Sequence, residues 1–186
     1  MKPPRASFVP ARKNALARTA GDACPEWQMT IRLAAPPILN SIVDGEGVRA
    51  VVWTQGCLLR CPGCHNPHTH ALDGGFETDT ERVKFDLRRA KGVRGLTLSG
   101  GEPFLQVAAC ADIARFVRAL GWDVWCYTGL LHEQLRADPQ SRPLLELIDV
   151  LVDGPFILAE RDPLLPFRGS RNQRVIRLRE TPPVAP

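Results

Sequence analysis

Cys57, Cys61 and Cys64 stand in the run Cys-Leu-Leu-Arg-Cys-Pro-Gly-Cys, directly after a stretch of β-formers from Val48 to Thr54. Spacings of four and three within one tight loop turn three sulfurs toward a common centre. The chain must therefore build a strand that ends in a metal-binding turn. Structural zinc sites are normally closed by four ligands, and iron–sulfur clusters are usually held by four Cys thiolates. Three thiolates hold a cluster but leave one iron able to bind something else, and that open iron is where the chemistry is expected.

A second element follows at Ser99-Gly100-Gly101-Glu102-Pro103, after the short apolar run Gly95-Leu96-Thr97-Leu98. Paired glycines let backbone approach a ligand closely. Glu102 offers a carboxylate acceptor for an ammonium group. Taken alone, the run would read as a strand-to-helix turn with an exposed Glu; downstream of three clustered cysteines it reads as the second half of a site.

A chain of 186 residues suits one domain with a sizeable core. No apolar run reaches the roughly 20 residues that span a bilayer, and the N-terminus lacks the apolar segment of a secretory signal. Crowded thiols in such a chain imply a metal site in a reducing compartment, so a cytoplasmic protein without a membrane partner is expected. The formal charge of +4 is concentrated at the start: residues 1–28 hold five basic side chains against two acidic ones. That leaves a nearly neutral remainder without the basic face of a nucleic-acid binder. Residues 1–28 are read as a disordered basic extension, 29–180 as a single domain and 181–186 as a Pro-rich tail.

From Val48 onward strands alternate with helices. A helix is expected over Asp79 to about Ala90, capped by Thr78 or Thr80, and a better one over Val107 to Leu120. In the latter Cys110, Ile113, Val117 and Leu120 share a face, and Gly121 ends it. Strands are expected at Asp123–Tyr127, Val150–Val152 and Arg174–Leu178, with helical turns at 131–136 and 143–148. Repeated β–α units imply an α/β fold with a mainly parallel sheet, and the candidate residues fall just after strands, where such folds bind ligands.

The cysteine spacing resembles the cluster motif of the radical S-adenosylmethionine (SAM) enzymes, and Gly100 to Pro103 looks like that superfamily's second motif. Five further segments are similar to the anaerobic ribonucleotide reductase activating enzymes, which are glycyl-radical activases. They are Val43 to Arg49, Thr54 to Cys57, Cys64 to Pro67, Asp149 to Phe156, and Phe167 to Ser170 with Asn172 to Arg174. The resemblance implies an incomplete, open (β/α) barrel. It implies a [4Fe–4S] cluster on Cys57, Cys61 and Cys64, with SAM chelated by the fourth iron. One electron from the cluster would cleave SAM to a 5′-deoxyadenosyl radical, which takes hydrogen from a glycine of a partner reductase. An electron donor such as flavodoxin or ferredoxin follows from that chemistry. The SAM site would draw on Gly63, Cys64, His65, Gly100, Gly101, Glu102 and Thr128, with His65 beside the adenine and no catalytic side chain beyond cluster and SAM. Gly63 stands where many of the superfamily carry an aromatic residue, and it matches the reductase-activating subgroup.

Two other readings remain open at this level. The same radical chemistry could act on a small molecule or peptide. Alternatively Cys57, Cys61 and Cys64 with His65, His68 or His70 could make a Cys3His zinc module. Asp153-Gly154-Pro155 either lines the cavity or ends a strand. Arg168, Asn172 and Arg174 are either a solvated loop or, as the resemblance implies, part of a SAM or peptide site. Cys110 and Cys126 read as core residues.

Overall fold

The computed structural model describes residues 29–179; the extension at 1–28 and the tail at 181–186 lie outside the described residues. One sheet organises the chain. Its strands are β1 (Thr30–Leu33), β2 (Ile38–Ser41), β3 (Arg49–Thr54), β4 (Phe76–Asp79), β5 (Gly95–Gly100), β6 (Asp123–Tyr127), β7 (Val150–Asp153) and β8 (Arg174–Arg177). They run in the order β4-β1-β3-β5-β6-β7-β8, with β2 paired on β3. Neighbours β3, β5, β6 and β7 are parallel, whereas β1, β2, β4 and β8 pair antiparallel. The path from β4 to β8 does not close among the described residues, so the expected open barrel is the architecture found. Its parallel part is confined to the four central strands. The antiparallel strands β1, β2 and β4 were not foreseen, because each has four residues and two of them leave every second residue or more exposed.

The helices are α1 (Thr80–Leu87), α2 (Val107–Ala119), α3 (His132–Ala137) and α4 (Arg142–Leu145). Alternation along the central strands divides the interior in two. Ala50, Val52, Leu96, Leu98, Val124 and Leu151 face the helices and meet Val83, Leu87, Cys110, Ile113 and Val117 in the main core. On the other face Trp125, Val150 and Val152 form a smaller cluster with Tyr127, Phe167 and Val175. The cavity described below opens on that second face.

Helix α1 is capped by Asp79, not by Thr78 or Thr80: the Asp79 carboxylate accepts from the Arg82 N–H at 2.6 Å. It also ends at Leu87, short of Ala90, where turn hydrogen bonds from the Arg89 and Ala90 N–H groups to the Asp86 and Leu87 carbonyls replace the helical ones. Asp79→Ala is expected to lose about 1 kcal/mol of stability, measurable by urea denaturation. In α2, Leu120 is the C-cap and stands exposed rather than closing the buried stripe, and Gly121 follows at φ +82°.

The lower, N-terminal ends of β3, β5 and β6 are tied by a buried ion pair. Arg49, wholly buried, donates to Asp123 at 2.6 Å, to the Leu96 carbonyl at 2.7 Å and to Thr97 Oγ1 at 2.7 Å. The β2–β3 loop lies across this network. A Cβ on Gly45 would come within 2.9 Å of the Trp125 ring, and the Asp44 carbonyl accepts from Thr97 at 2.7 Å. That packing delivers Val43 and Asp44 to the cavity wall. No helix among the described residues is long and apolar enough to cross a membrane.

Candidate functional site

The two sequence elements are joined by backbone. The Gly101 N–H donates to the Thr54 carbonyl and the Glu102 N–H to the Gly56 carbonyl, both at 2.8 Å. A Cβ on Gly100 would lie 2.5 Å from the Thr54 oxygen, and one on Gly101 2.2 Å from the Gly56 oxygen. The paired glycines therefore admit the neighbouring chain at this turn. What they secure is the docking of the cysteine loop onto the end of β5.

The cysteine loop folds back on itself. Gly56 and Cys57 donate their N–H groups to the carbonyls of Thr69 (2.8 Å) and His70 (3.2 Å). The Gln55 amide donates to the carbonyls of His68 and Ala71. Gln106, from the turn after Pro103, donates to the carbonyls of Arg32 and Gln55 and so pins the same corner. Between the cysteines Arg60 has φ +45°, an uncommon conformation for a residue with a side chain. Gly63 has φ +74°, and a Cβ there would meet Leu158 Cδ1 at 2.9 Å. Leu158 and Phe156 thus occupy the space that a side chain at position 63 would need. The Asn66 N–H donates to Cys64 Sγ at 3.4 Å.

Glu102 is 3% exposed, so it is not the surface carboxylate that the run taken alone would suggest. Its carboxylate accepts from the Phe104 N–H (3.1 Å), the Thr128 hydroxyl (2.9 and 3.0 Å) and the Gly129 N–H (2.9 Å). It therefore clamps the turns after β5 and β6 while forming part of the cavity wall. Burial raises its pKa above the ordinary carboxylate range, against the pull of the Gly129, Phe104 and Thr128 hydrogen bonds. With the folded pKa above the unfolded one, the stability this group lends is full below the unfolded value. It is lost as the pH rises through the raised value. Glu102→Gln should remove that pH dependence, seen as urea midpoints that differ less between acidic and neutral buffer than those of the parent protein.

These elements wall one cavity of about 430 Å³. Cys57, Cys61, Cys64, His65, Gly100, Gly101, Glu102 and Thr128 all line it; Gly63 does not, and neither do His68 and His70. His65 packs on Phe156 with ring centroids 5.1 Å apart. Of the C-terminal candidates, Gly154 and Arg168 are on the wall, whereas Asp153, Asn172 and Arg174 are not. Arg174 instead donates to the wholly buried Asp153 carboxylate (2.9 Å from Nε) and to Glu133. Asn172 donates to the Pro155 carbonyl. Their positions answer a buried charge and a loop carbonyl, which a linear reading cannot foresee. Sequence reasoning missed Trp53, Ser99 and Tyr127, which also line the cavity. Alternation with Val52, Leu98 and Cys126, which face the helices, was the available signal. Cys110 and Cys126 are fully buried as expected, and burial pushes the Cys110 thiol up to about 12.

The donor set suits an iron–sulfur cluster. The three loop thiols are free and share one wall. Among the described residues no three His, Cys, Asp or Glu side chains converge as ligands of a single ion. A cluster spreads its thiolates over separate irons, so its ligands need not meet at one point. Trp53 Nε1 and Arg168 Nε, both buried, have no acceptor among the described residues. Both residues belong to this wall. A ligand bearing acceptor oxygens or nitrogens would satisfy them.

Residues 43–176 match the 4Fe-4S single cluster domain family. The chain is 36% identical over 147 residues to the anaerobic ribonucleoside-triphosphate reductase-activating protein of Pasteurella multocida, covering 74% of this chain and 92% of that one. Its counterpart in Salmonella typhimurium is 38% identical over 147 residues, covering 74% and 94%. A pyruvate formate-lyase-activating enzyme from Listeria monocytogenes is 40% identical over 84 residues, 42% of this chain and 34% of the enzyme.

Proposed function

This chain belongs to the 4Fe-4S single cluster domain family and, within it, to the anaerobic ribonucleoside-triphosphate reductase-activating proteins; from that premise we propose that it is a radical SAM activase which generates a glycyl radical on an anaerobic ribonucleotide reductase. The observation that carries this reading is the shared wall: three free thiols and the Gly100–Glu102 turn line one cavity. Cys57, Cys61 and Cys64 would hold the cluster as thiolates. When bound, cluster and SAM supply reductive cleavage of SAM and a 5′-deoxyadenosyl radical that takes hydrogen from glycine Cα.

The chain's own residues bind, orient and exclude water. Glu102 takes the SAM ammonium in this reading while it anchors Thr128 and Gly129. Thr128, Gly100 and Gly101 bound the same pocket, and His65 on Phe156 offers a flat surface for the adenine. Gly63 contributes by letting Leu158 close over the loop. A flavodoxin or ferredoxin as electron donor and a cytoplasmic location complete the proposal. Glu102→Gln should weaken SAM binding while iron content stays nearly intact.

The test is anaerobic reconstitution with iron and sulfide, followed by electron paramagnetic resonance with and without SAM, then with the reductase added. A [4Fe–4S] signal altered by SAM and a glycyl radical on the reductase are expected. A SAM-sensitive cluster that yields no glycyl radical would move the activity to a small molecule or peptide. Stoichiometric zinc without a cluster would end the enzymatic reading.

A further inference from the structure

Large apolar side chains exposed singly are ordinary on a protein surface, but a cluster of them round one opening marks a binding face. Here five of them stand on the loops that wall the cavity. Ile42 and Val43 of the β2–β3 loop are 74% and 72% exposed, Leu58 of the cysteine loop 64%, and Leu158 and Leu164 of the 155–173 loop 55% and 90%. Val43 lines the cavity, and Leu58 and Leu164 are bonded in sequence to the lining residues Leu59 and Leu165. Leu158 abuts Gly63 within the cysteine loop. Three loops far apart in sequence, each contributing to the same cavity wall, thus carry exposed apolar groups beside it.

We propose that this collar is the docking surface for the glycine-bearing loop of the partner reductase, and that the loop flanks its glycine with apolar side chains. The inference rests on the activase reading. A cavity that acts on the Cα of a protein glycine must admit a segment of that protein, whose flanks then lie on whatever surrounds the opening. Charge gives the partner's chemistry. Segments 42–47, 57–65 and 155–173 carry four acidic and four basic side chains between them. A charged peptide gains little from such a balance, whereas an apolar one gains from every side chain it covers. The glycine itself offers no side chain to recognise, so selection falls on its neighbours.

The test uses Leu164→Asp and Ile42→Asp in the cluster-loaded full chain, with Phe85→Asp as control. Neither Leu164 nor Ile42 lines the cavity, and Phe85 is another exposed apolar residue, on α1 and away from the three loops. The KM for the reductase, read from glycyl-radical yield, should rise roughly tenfold for each collar variant and more for the pair. Partner-free SAM cleavage and the cluster spectrum should be unchanged, and Phe85→Asp should match the parent protein. An unchanged KM in both collar variants overturns the proposal. So does a collar variant that sediments as a smaller species than the parent protein, which would make the collar a contact between copies of this chain. Failure of the parent protein to form any glycyl radical, with its cluster intact, would instead sink the activase reading on which the proposal stands.

Discussion

Replacing Cys61 by alanine is expected to leave a folded protein that neither keeps a [4Fe–4S] cluster nor cleaves SAM. Two thiolates would remain where three are needed to leave a single open iron. The fold should survive, because Cys61 is partly exposed and its structural hydrogen bond, accepted by its carbonyl from the Cys64 N–H, belongs to the backbone. Loss of function would then report coordination and not collapse. Iron and sulfide content, cleavage rate and circular dichroism measured together check this. Cys110→Ala provides the contrast: it removes a fully buried thiol from the core, so it should lower stability but retain iron. Retained cleavage in Cys61→Ala would reject the ligand assignment.

Gly101→Ala is expected to be the most damaging single methyl in the site. Its Cβ would sit 2.2 Å from the Gly56 oxygen and 2.8 Å from the Gly56 carbon, both backbone atoms with no rotamer to relieve the clash. The turn must retreat, breaking the hydrogen bonds from Gly101 to Thr54 and from Glu102 to Gly56. Overpacking of this kind costs about 3 kcal/mol or more. Because the same bonds hold the cysteine loop on β5, iron uptake should fall together with stability. Urea denaturation of the apoprotein and iron content after reconstitution measure both. Gly92→Ala is the comparison, since a methyl added there would meet nothing within 4 Å, although its φ of +65° carries some strain of its own. A Gly101→Ala protein as stable as Gly92→Ala would refute the packing argument.

Much of the site is legible in the sequence. Cys57, Cys61 and Cys64 can be singled out because thiol spacing within one loop is a local property, and Gly100 to Glu102 because a turn after a strand needs glycine. The helices α1 and α2 and the strands β3, β5, β6 and β7 follow from period and turn residues. Where the reading falls short, the cause lies at a distance. Asp79 outcompetes Thr78 and Thr80 as a cap only once β4 has set its carboxylate against the Arg82 N–H. Arg174 reads as a site residue along the chain, but Asp153, 21 residues away, claims it.

Taken by itself, then, the chain determined the candidate thiols, the order of the central strands and their helices and the family to which they belong, because these depend on residues a few bonds apart. Tertiary structure decided what Glu102 does. Its acceptor oxygens meet Thr128 and Gly129, 26 and 27 residues downstream, and burial at that meeting point turns an apparent surface carboxylate into a clamp. It decided also that Gly100 and Gly101 accommodate backbone, and that Trp53 and Arg168 share one wall. Such facts arise from the crossing of segments, where steric exclusion and hydrogen-bond satisfaction act between groups that no local pattern relates.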